Sequence, residues 1–188
     1  MKLEPKEFIL KNGEKIILKS PEISDASLLL DQIIAACGAT DYLTRRPEDF
    51  DHIKKDISLE EKFIESFYEG NDCLICAYCK NKIVGNCCIK FMQSDKEKHR
   101  SKVGIAIIKE YWGCGIGSLM FDELINIARN NPDCEQVELD GGVITENQRA
   151  IALYTKKGFI KTGEIPHDLK LKNNTYLDSQ LMTLFLNK

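Results

Sequence analysis

Three glycines at alternate positions, Gly113, Gly115 and Gly117, stand where an apolar strand gives way to an amphipathic helix, within residues 103–130. Glycines there take side chains away just where a helix begins. Backbone N–H groups can then face outward, and a ligand can approach the main chain closely. A helix start carries partial positive charge, so the ligand this pattern selects is an anion, most simply a phosphate or pyrophosphate. Two familiar phosphate loops fail on spacing. A P-loop needs Gly-Lys-Ser/Thr, but Ser118 follows Gly117 directly. A dinucleotide loop needs Gly-x-Gly-x-x-Gly, but the third position falls on Ser118 or Met120. What remains is Trp112-Gly113-Cys114-Gly115-Ile116-Gly117.

A second segment, Asn147 to Phe159, reads NQRAIALYTKKGF. Asn147 is a good N-cap, because its side-chain oxygen can accept from a first-turn N–H. Ala150, Ile151 and Tyr154 share one face at spacings of three and four. Gly158 sits where a helix stops in the left-handed conformation. Asn147 and Tyr154 then lie roughly 10 Å apart along one helix, a separation suited to touching two parts of an extended ligand.

The two segments together resemble the GNAT family of N-acetyltransferases. That family's acetyl-CoA loop reads Arg/Gln-x-x-Gly-x-Gly/Ala. Gly115 and Gly117 fall on its small positions, and Trp112 stands where the family has Arg or Gln. The family's later helix carries Asn, then Ala-Ile-x-Leu-Tyr, then Lys-x-Gly-Phe; Asn147, Ala150, Leu153, Tyr154, Gly158 and Phe159 all match. The likeness covers residues 80–186 well and the first eighty loosely, and its second half looks like the ribosomal-protein N-acetyltransferases. It implies an α/β GNAT fold: a mixed, mostly antiparallel central sheet of six to seven strands with helices on both faces. It also implies transfer of an acetyl group from acetyl-CoA directly to a primary amine, on a small molecule or on a protein N-terminus or lysine. The alternative is a GNAT-like module that binds acyl-CoA without turnover.

Acyl transfer from a thioester needs a held cofactor, a neutral amine, stabilisation of the carbonyl oxygen and a proton for the departing thiolate. By resemblance, Gly113, Cys114, Gly115, Ile116, Gly117 and Ser118 hold the pyrophosphate, with Trp112 at the head of the loop. Ile107 and Ile108 pair their backbone with the pantetheine arm, and Asn147 touches the same arm. Tyr154 is the proton donor: a phenol of ordinary pKa near 10 stays protonated above a thiol of about 8.5. For the base, Glu138 and Asp140 share one face of the strand before Asn147. Glu138 is the candidate, with a water chain or a merely solvated carboxylate as the competing readings. Cys114 could suggest a covalent acyl-enzyme, but the loop pattern allows almost any residue there, and no histidine lies within thirteen residues on either side. The basic cluster Lys96, Lys98, His99, Arg100 and Lys102 reads as a solvated turn, with attraction of an anionic cofactor as the lesser reading. Lys156 and Lys157 pose the same choice. The family's acceptor site is built by the first two helices and their connection, here Thr40, Asp41, Tyr42, Arg45, Arg46 and Asp49.

Periodicity supplies the elements that must position these groups. Asn12-Gly13 marks a hairpin. SDASLLLDQIIAAC opens with cap residues and carries a helical apolar stripe interrupted by Asp31 and Gln32. SLEEKFIESFYEG has the look of a capping box, Ser58 with Glu61, and a stop at Gly70. Residues 73–92 read as two strands around Asn81 with Gly85 inside the second. The strand from His99 feeds the glycine loop, EQVELDGGVI is the next strand, and two further strands follow the Asn147 helix.

At 188 residues the chain is expected to be one domain over its whole length. A hydrophobic fraction of 43%, a charged fraction of 29% and a net charge of −3 fit an ordinary globular protein with no nucleic-acid footprint. The start MKLEPKEFIL lacks a signal-peptide layout and no apolar run approaches a membrane helix, so a cytoplasmic location without membrane contact is expected. A homodimer is left open. Eight cysteines include Cys73, Cys76 and Cys79 at metal-like spacing. On a strand, however, Cys76 faces away from the other two, so no metal is expected; Cys76 and Cys87 could face each other across the hairpin.

Overall fold

The computed structural model describes residues 1–186. It is a mixed α/β protein with a nine-stranded, mostly antiparallel sheet and five α-helices. The strands are β1 (Lys6–Ile9), β2 (Lys15–Lys19), β3 (Cys73–Cys79), β4 (Lys82–Phe91), β5 (Arg100–Ile107), β6 (Gln136–Leu139), β7 (Val143–Ile144), β8 (Ile160–Lys170) and β9 (Tyr176–Phe185). The helices are α1 (Ala26–Gly38), α2 (Asp51–Lys55), α3 (Ser58–Glu65), α4 (Ile116–Asn130) and α5 (Gln148–Lys156). The sheet runs in the order β1-β2-β3-β4-β5-β6-β9-β7, with β8 on β9. β5 and β6 are parallel over Arg100–Val103, whereas β1 with β2, β2 with β3, β3 with β4, and β9 with β6, β7 and β8 are antiparallel. Among the described residues no helix is long and apolar enough to cross a membrane.

The sheet exceeds the expected six to seven strands. Part of the excess comes from EQVELDGGVI, which is two strands instead of one. Gly141 and Gly142 take φ of +72° and +79°, a conformation no strand holds, and the chain breaks there into β6 and β7. Gly142 is also obligatory on space, since a Cβ would sit 2.8 Å from the Gln180 carbonyl oxygen of β9.

The chain forms two compact units: Met1–Ile89 with Ile105–Met120, and Lys90–Gly104 with the chain from Phe121 on. In the first unit the Asn12-Gly13 hairpin forms as expected, with Gly13 at φ +82°. α1 and α3 bury Ala26, Leu29 and Ile64 against Leu74 and Cys76 of β3 and Ile83 of β4. The Ser58–Glu61 capping box does not form. Ser58 is already helical, and its N–H donates to Asp56 Oδ1 at 3.2 Å, so the acid two residues upstream does the capping. The β3–β4 turn uses Lys80 and Asn81 at φ +47° and +63°. A bulge then sets Ala77 opposite Gly85, Cys76 opposite Asn86 and Cys87 opposite Ile75, so Cys76 and Cys87 are not a cross-strand pair. All eight cysteines are free thiols.

In the second unit β8 and β9 form a long hairpin. α4 and α5 contribute Phe121 and Tyr154 to an aromatic cluster with Phe159, at ring separations of 5.1 to 6.1 Å. Gly158, at φ +92°, ends α5 and turns the chain into β8.

Candidate active site

The glycine loop lies in the first unit. After β5 a short turn, Lys109–Tyr111, leads to an extended Trp112, and α4 starts at Ile116. Gly113 and Gly115 take φ of +79° and +102°, so both are required by backbone conformation. A Cβ on Gly113 would meet nothing within 4 Å, and one on Gly115 only the Lys11 side chain at 4.0 Å, so space lies open beside both. Gly117 is inside the first turn of α4. The loop is braced from outside itself, for the Cys114 carbonyl accepts from the Lys11 N–H at 3.3 Å, at the tip of the β1–β2 hairpin.

Ser118 and Leu119 donate to the Gly115 carbonyl at 3.1 and 3.2 Å, and Cys114 donates to Tyr111 at 3.4 Å. The N–H groups of Gly113, Gly115, Ile116 and Gly117 have no acceptor among the described residues. Four unspent donors at a helix start are the elements of an anion site.

Trp112 has a role the sequence did not disclose. Its indole Nε1 donates to the Ile107 carbonyl at 2.8 Å, tying the head of the loop to the end of β5. The family's Arg or Gln is thus replaced by a side chain that holds the loop from inside. The same bond bears on the strand. Ile107 has its carbonyl engaged, and Ile108 donates to Val84 at 3.1 Å and accepts from Tyr111. These two residues therefore offer a ligand fewer backbone groups than their position alone implied. β6 pairs with β5 only as far as Val103, so Ile105–Ile107 lie beyond the paired register.

The remaining candidates lie in the second unit. Asn147 caps α5, its Oδ1 accepting from Ala150 N–H at 3.2 Å, which leaves its side-chain amide donors unspent. Tyr154, on α5, is 8% exposed with its ring in the Phe121–Phe159 cluster. Burial alone pushes its phenol up to about 12. The hydroxyl has no hydrogen-bond partner among the described residues. The one sealed, unpartnered side-chain polar atom among them is Gln32 Oε1, so the Tyr154 oxygen keeps contact with solvent.

Glu138 is gripped on both oxygens by Arg100, at 2.6 and 2.8 Å, and accepts from Gln136 Nε2 at 3.0 Å. The Arg100 hydrogen bond, foremost, holds its carboxyl below the ordinary glutamate range. Asp140 lies 3.6 Å from Lys102, and Lys98 3.7 Å from Asp133. Arg100, Lys102 and Lys98 thus each face an acid. Lys157 is likewise committed, to Asp122 at 2.6 Å. The role of Arg100 was not legible, because it depends on the parallel pairing that sets residues 38 apart in the chain side by side. Cys114 is half-buried, and its thiol approaches only the Trp112 carbonyl, at 3.9 Å. No group of three or more His, Cys, Asp or Glu among the described residues could hold a metal ion.

Known structures share this fold. An acetyltransferase of the GNAT family from Streptococcus pneumoniae superposes with a TM-score of 0.82 at 24% identity, over 91% of this chain and 99% of that one. The ribosomal-protein-alanine N-acetyltransferase of Brucella melitensis gives 0.74 at 20% identity, over 90% and 99%. The Salmonella typhimurium protein yncA, whose structure holds its cofactor acetyl-CoA, gives 0.76 at 17%, over 92% and 95%. The Drosophila melanogaster protein named "Probable N-acetyltransferase san" is 25% identical over 103 residues, and the match spans 55% of each chain, about half the length of that relative. The acetyltransferase (GNAT) family profile matches residues 39–159, a span that includes the glycine loop, Tyr154 and Phe159. Matched over that much of its 188 residues, the chain belongs to the acetyltransferase (GNAT) family.

Proposed function

We propose that the chain, working as one domain, moves an acetyl group from acetyl-CoA directly to a primary amine. The observation that carries this reading is the set of unspent N–H donors at Gly113, Gly115, Ile116 and Gly117, beside open space, in a member of the acetyltransferase family. They suit the pyrophosphate of the cofactor. Cys114 and Ser118 complete the loop, Trp112 keeps it in place, and Ile107, Ile108 and Asn147 serve the pantetheine arm. The relatives' names support acetyl-CoA and an amine as the two substrates.

Tyr154 is the proton donor. A phenol raised by burial holds its proton at every physiological pH, and it can pass that proton to a thiolate of ordinary pKa about 8.5. For the amine's proton, Glu138 is the weaker choice than the sequence suggested. Ion-paired and lowered, it binds a proton less well than a free glutamate. A water path to bulk solvent is the better acceptor.

The second reading, an acyl-CoA-binding module without turnover, draws its support from that engaged Glu138. One experiment separates the two: free CoA released from acetyl-CoA across a panel of amines. Amine-dependent release supports the transferase. Tight acetyl-CoA binding with no release above the amine-free control supports the module, and absence of binding overturns both.

A further inference from the structure

Backbone amides hold a phosphate through partial charges, and a site that adds a full cation holds it more tightly. Residues 112–118 contain no Lys, Arg or His. Trp112, at the family's Arg or Gln position, turns its indole N–H inward to the Ile107 carbonyl. A cation for this loop must therefore come from another element. The β1–β2 hairpin brings one to it. The Lys11 N–H donates to the Cys114 carbonyl at 3.3 Å, and a Cβ on Gly115 would stand 4.0 Å from Lys11 Cγ. Both contacts lie within the first unit.

The hairpin fixes Lys11 there by bonds of its own. Leu10 N–H donates to the Glu14 carbonyl at 2.8 Å, and Gly13 N–H to the Leu10 carbonyl at 2.9 Å, so the turn around Lys11 is closed. The acids of the hairpin are taken by other groups. Glu14 accepts from Lys80 and from Asn12 Nδ2, and Glu7 faces Lys15 at 2.8 Å. The Lys11 ammonium has no hydrogen bond, ion pair or ring contact among the described residues. Lys11 is exposed, and the flexible bonds beyond Cγ let its charge swing over the glycines beside it. There the N–H groups of Gly113, Gly115, Ile116 and Gly117 also lack acceptors, next to open space. An unpaired cation and unspent N–H donors around one opening are satisfied together by an anion.

We propose that Lys11 is a cofactor-binding residue: its ammonium pairs with the diphosphate held by the glycine loop and supplies, from the hairpin, the cation that Trp112 does not. The inference rests on the acetyl-transfer reading for the identity of the anion. The diphosphate is favoured over the 3′-phosphate of the same cofactor because Lys11 lies against Gly115, whose N–H is one of the unspent donors. Lys11 then helps the site select thioester carriers that have a diphosphate over those that end at pantetheine.

The test compares CoA, which carries the diphosphate and the 3′-phosphate, with 3′-dephospho-CoA, which carries the diphosphate alone, and pantetheine, which carries neither. Calorimetry reads the first two, and an NMR titration reads pantetheine. Lys11→Met keeps the backbone N–H that meets Cys114 and most of the apolar stem, at an exposed hairpin tip where it should fold as the wild type does. It should weaken CoA and dephospho-CoA by the same factor, about tenfold, and leave pantetheine unchanged within about twofold. Lys11→Arg should restore most of the lost affinity. A loss confined to CoA overturns the proposal, because the cation would then serve the 3′-phosphate. An equal loss for all three ligands overturns it too, since a disturbed loop and not a missing charge would be the cause. So does wild-type affinity in Lys11→Met. Each of these outcomes leaves the transferase reading standing. None of the binding readouts depends on turnover, so a chain that binds CoA through Lys11 but shows no amine-dependent release would support Lys11 while overturning the transferase reading. A wild-type chain that binds none of the three ligands overturns both.

Discussion

Tyr154 and Glu138 are both ionisable, and their surroundings drive them in opposite directions. Tyr154 loses water and gains no partner, so its neutral form is favoured. Its folded pKa, about 12, lies above the ordinary 10, so its contribution to stability is complete below pH 10 and is lost as pH rises through 12. Tyr154→Phe should lower turnover by about a hundredfold or more, the usual scale for a positioned acid, with acetyl-CoA affinity within about twofold. The melting temperature should hardly move, because the hydroxyl has no protein partner among the described residues. Unchanged turnover would remove the acid role. Glu138 gains a bidentate cation, so its folded pKa lies below the ordinary 4.5. Its contribution is present above pH 4.5 and is lost as pH falls through the lowered value. Glu138→Gln should cost about 1 kcal/mol at neutral pH and less in acid, readable from urea unfolding at two pH values. If Glu138 were instead the base, turnover would fall far more than stability.

The elements matter through their ends. α4 is useful for its first turn, where glycines leave donors unspent, and β5 for its last residues, which Trp112 ties to the loop. Gly115→Ala forces a Cβ onto φ +102°, at a cost of about 1–2 kcal/mol. It should also weaken acetyl-CoA binding, as titration calorimetry would record. Trp112→Phe keeps the ring but drops the bond to Ile107, and should cost about 1 kcal/mol. Because that bond holds the loop to the strand, the loop amides should exchange hydrogen faster in the variant, with α5 unaffected. Equal exchange in both proteins would show that the indole bond does not hold the loop.

At the scale of the whole molecule, a ligand that binds only the folded chain adds stability by mass action, about 2.7 kcal/mol at a hundred times its Kd. Acetyl-CoA should raise the melting temperature accordingly. The eight free thiols report on the same event. Cys88 and Cys114 are partly exposed and the other six buried, so a thiol reagent should label those two first. CoA should then protect Cys114, which is in the loop, and leave Cys88 reactive. Protection of neither would count against the loop as the binding element.

Local physics made the glycine loop, the Asn147 cap, the Gly158 stop and the Asn12-Gly13 hairpin readable, because each depends on residues a few positions apart. Packing over long separations decided the rest. The β3–β4 register set no cysteine of one strand opposite a cysteine of the other, Gly141 and Gly142 split one expected strand into two, and parallel pairing delivered Arg100 to Glu138. Gln32 and Glu60 make the division plain. From the chain alone Gln32 is a polar interruption of a helical apolar stripe and Glu60 one of several acids in SLEEKFIESFYEG, and whether such a group finds a partner is not encoded in its neighbours. Only the fold gave Gln32 Nε2 the Ala106 carbonyl and left its Oε1 without a partner among the described residues, since a hydrogen bond is a matter of a few ångströms in space and not of position along the chain.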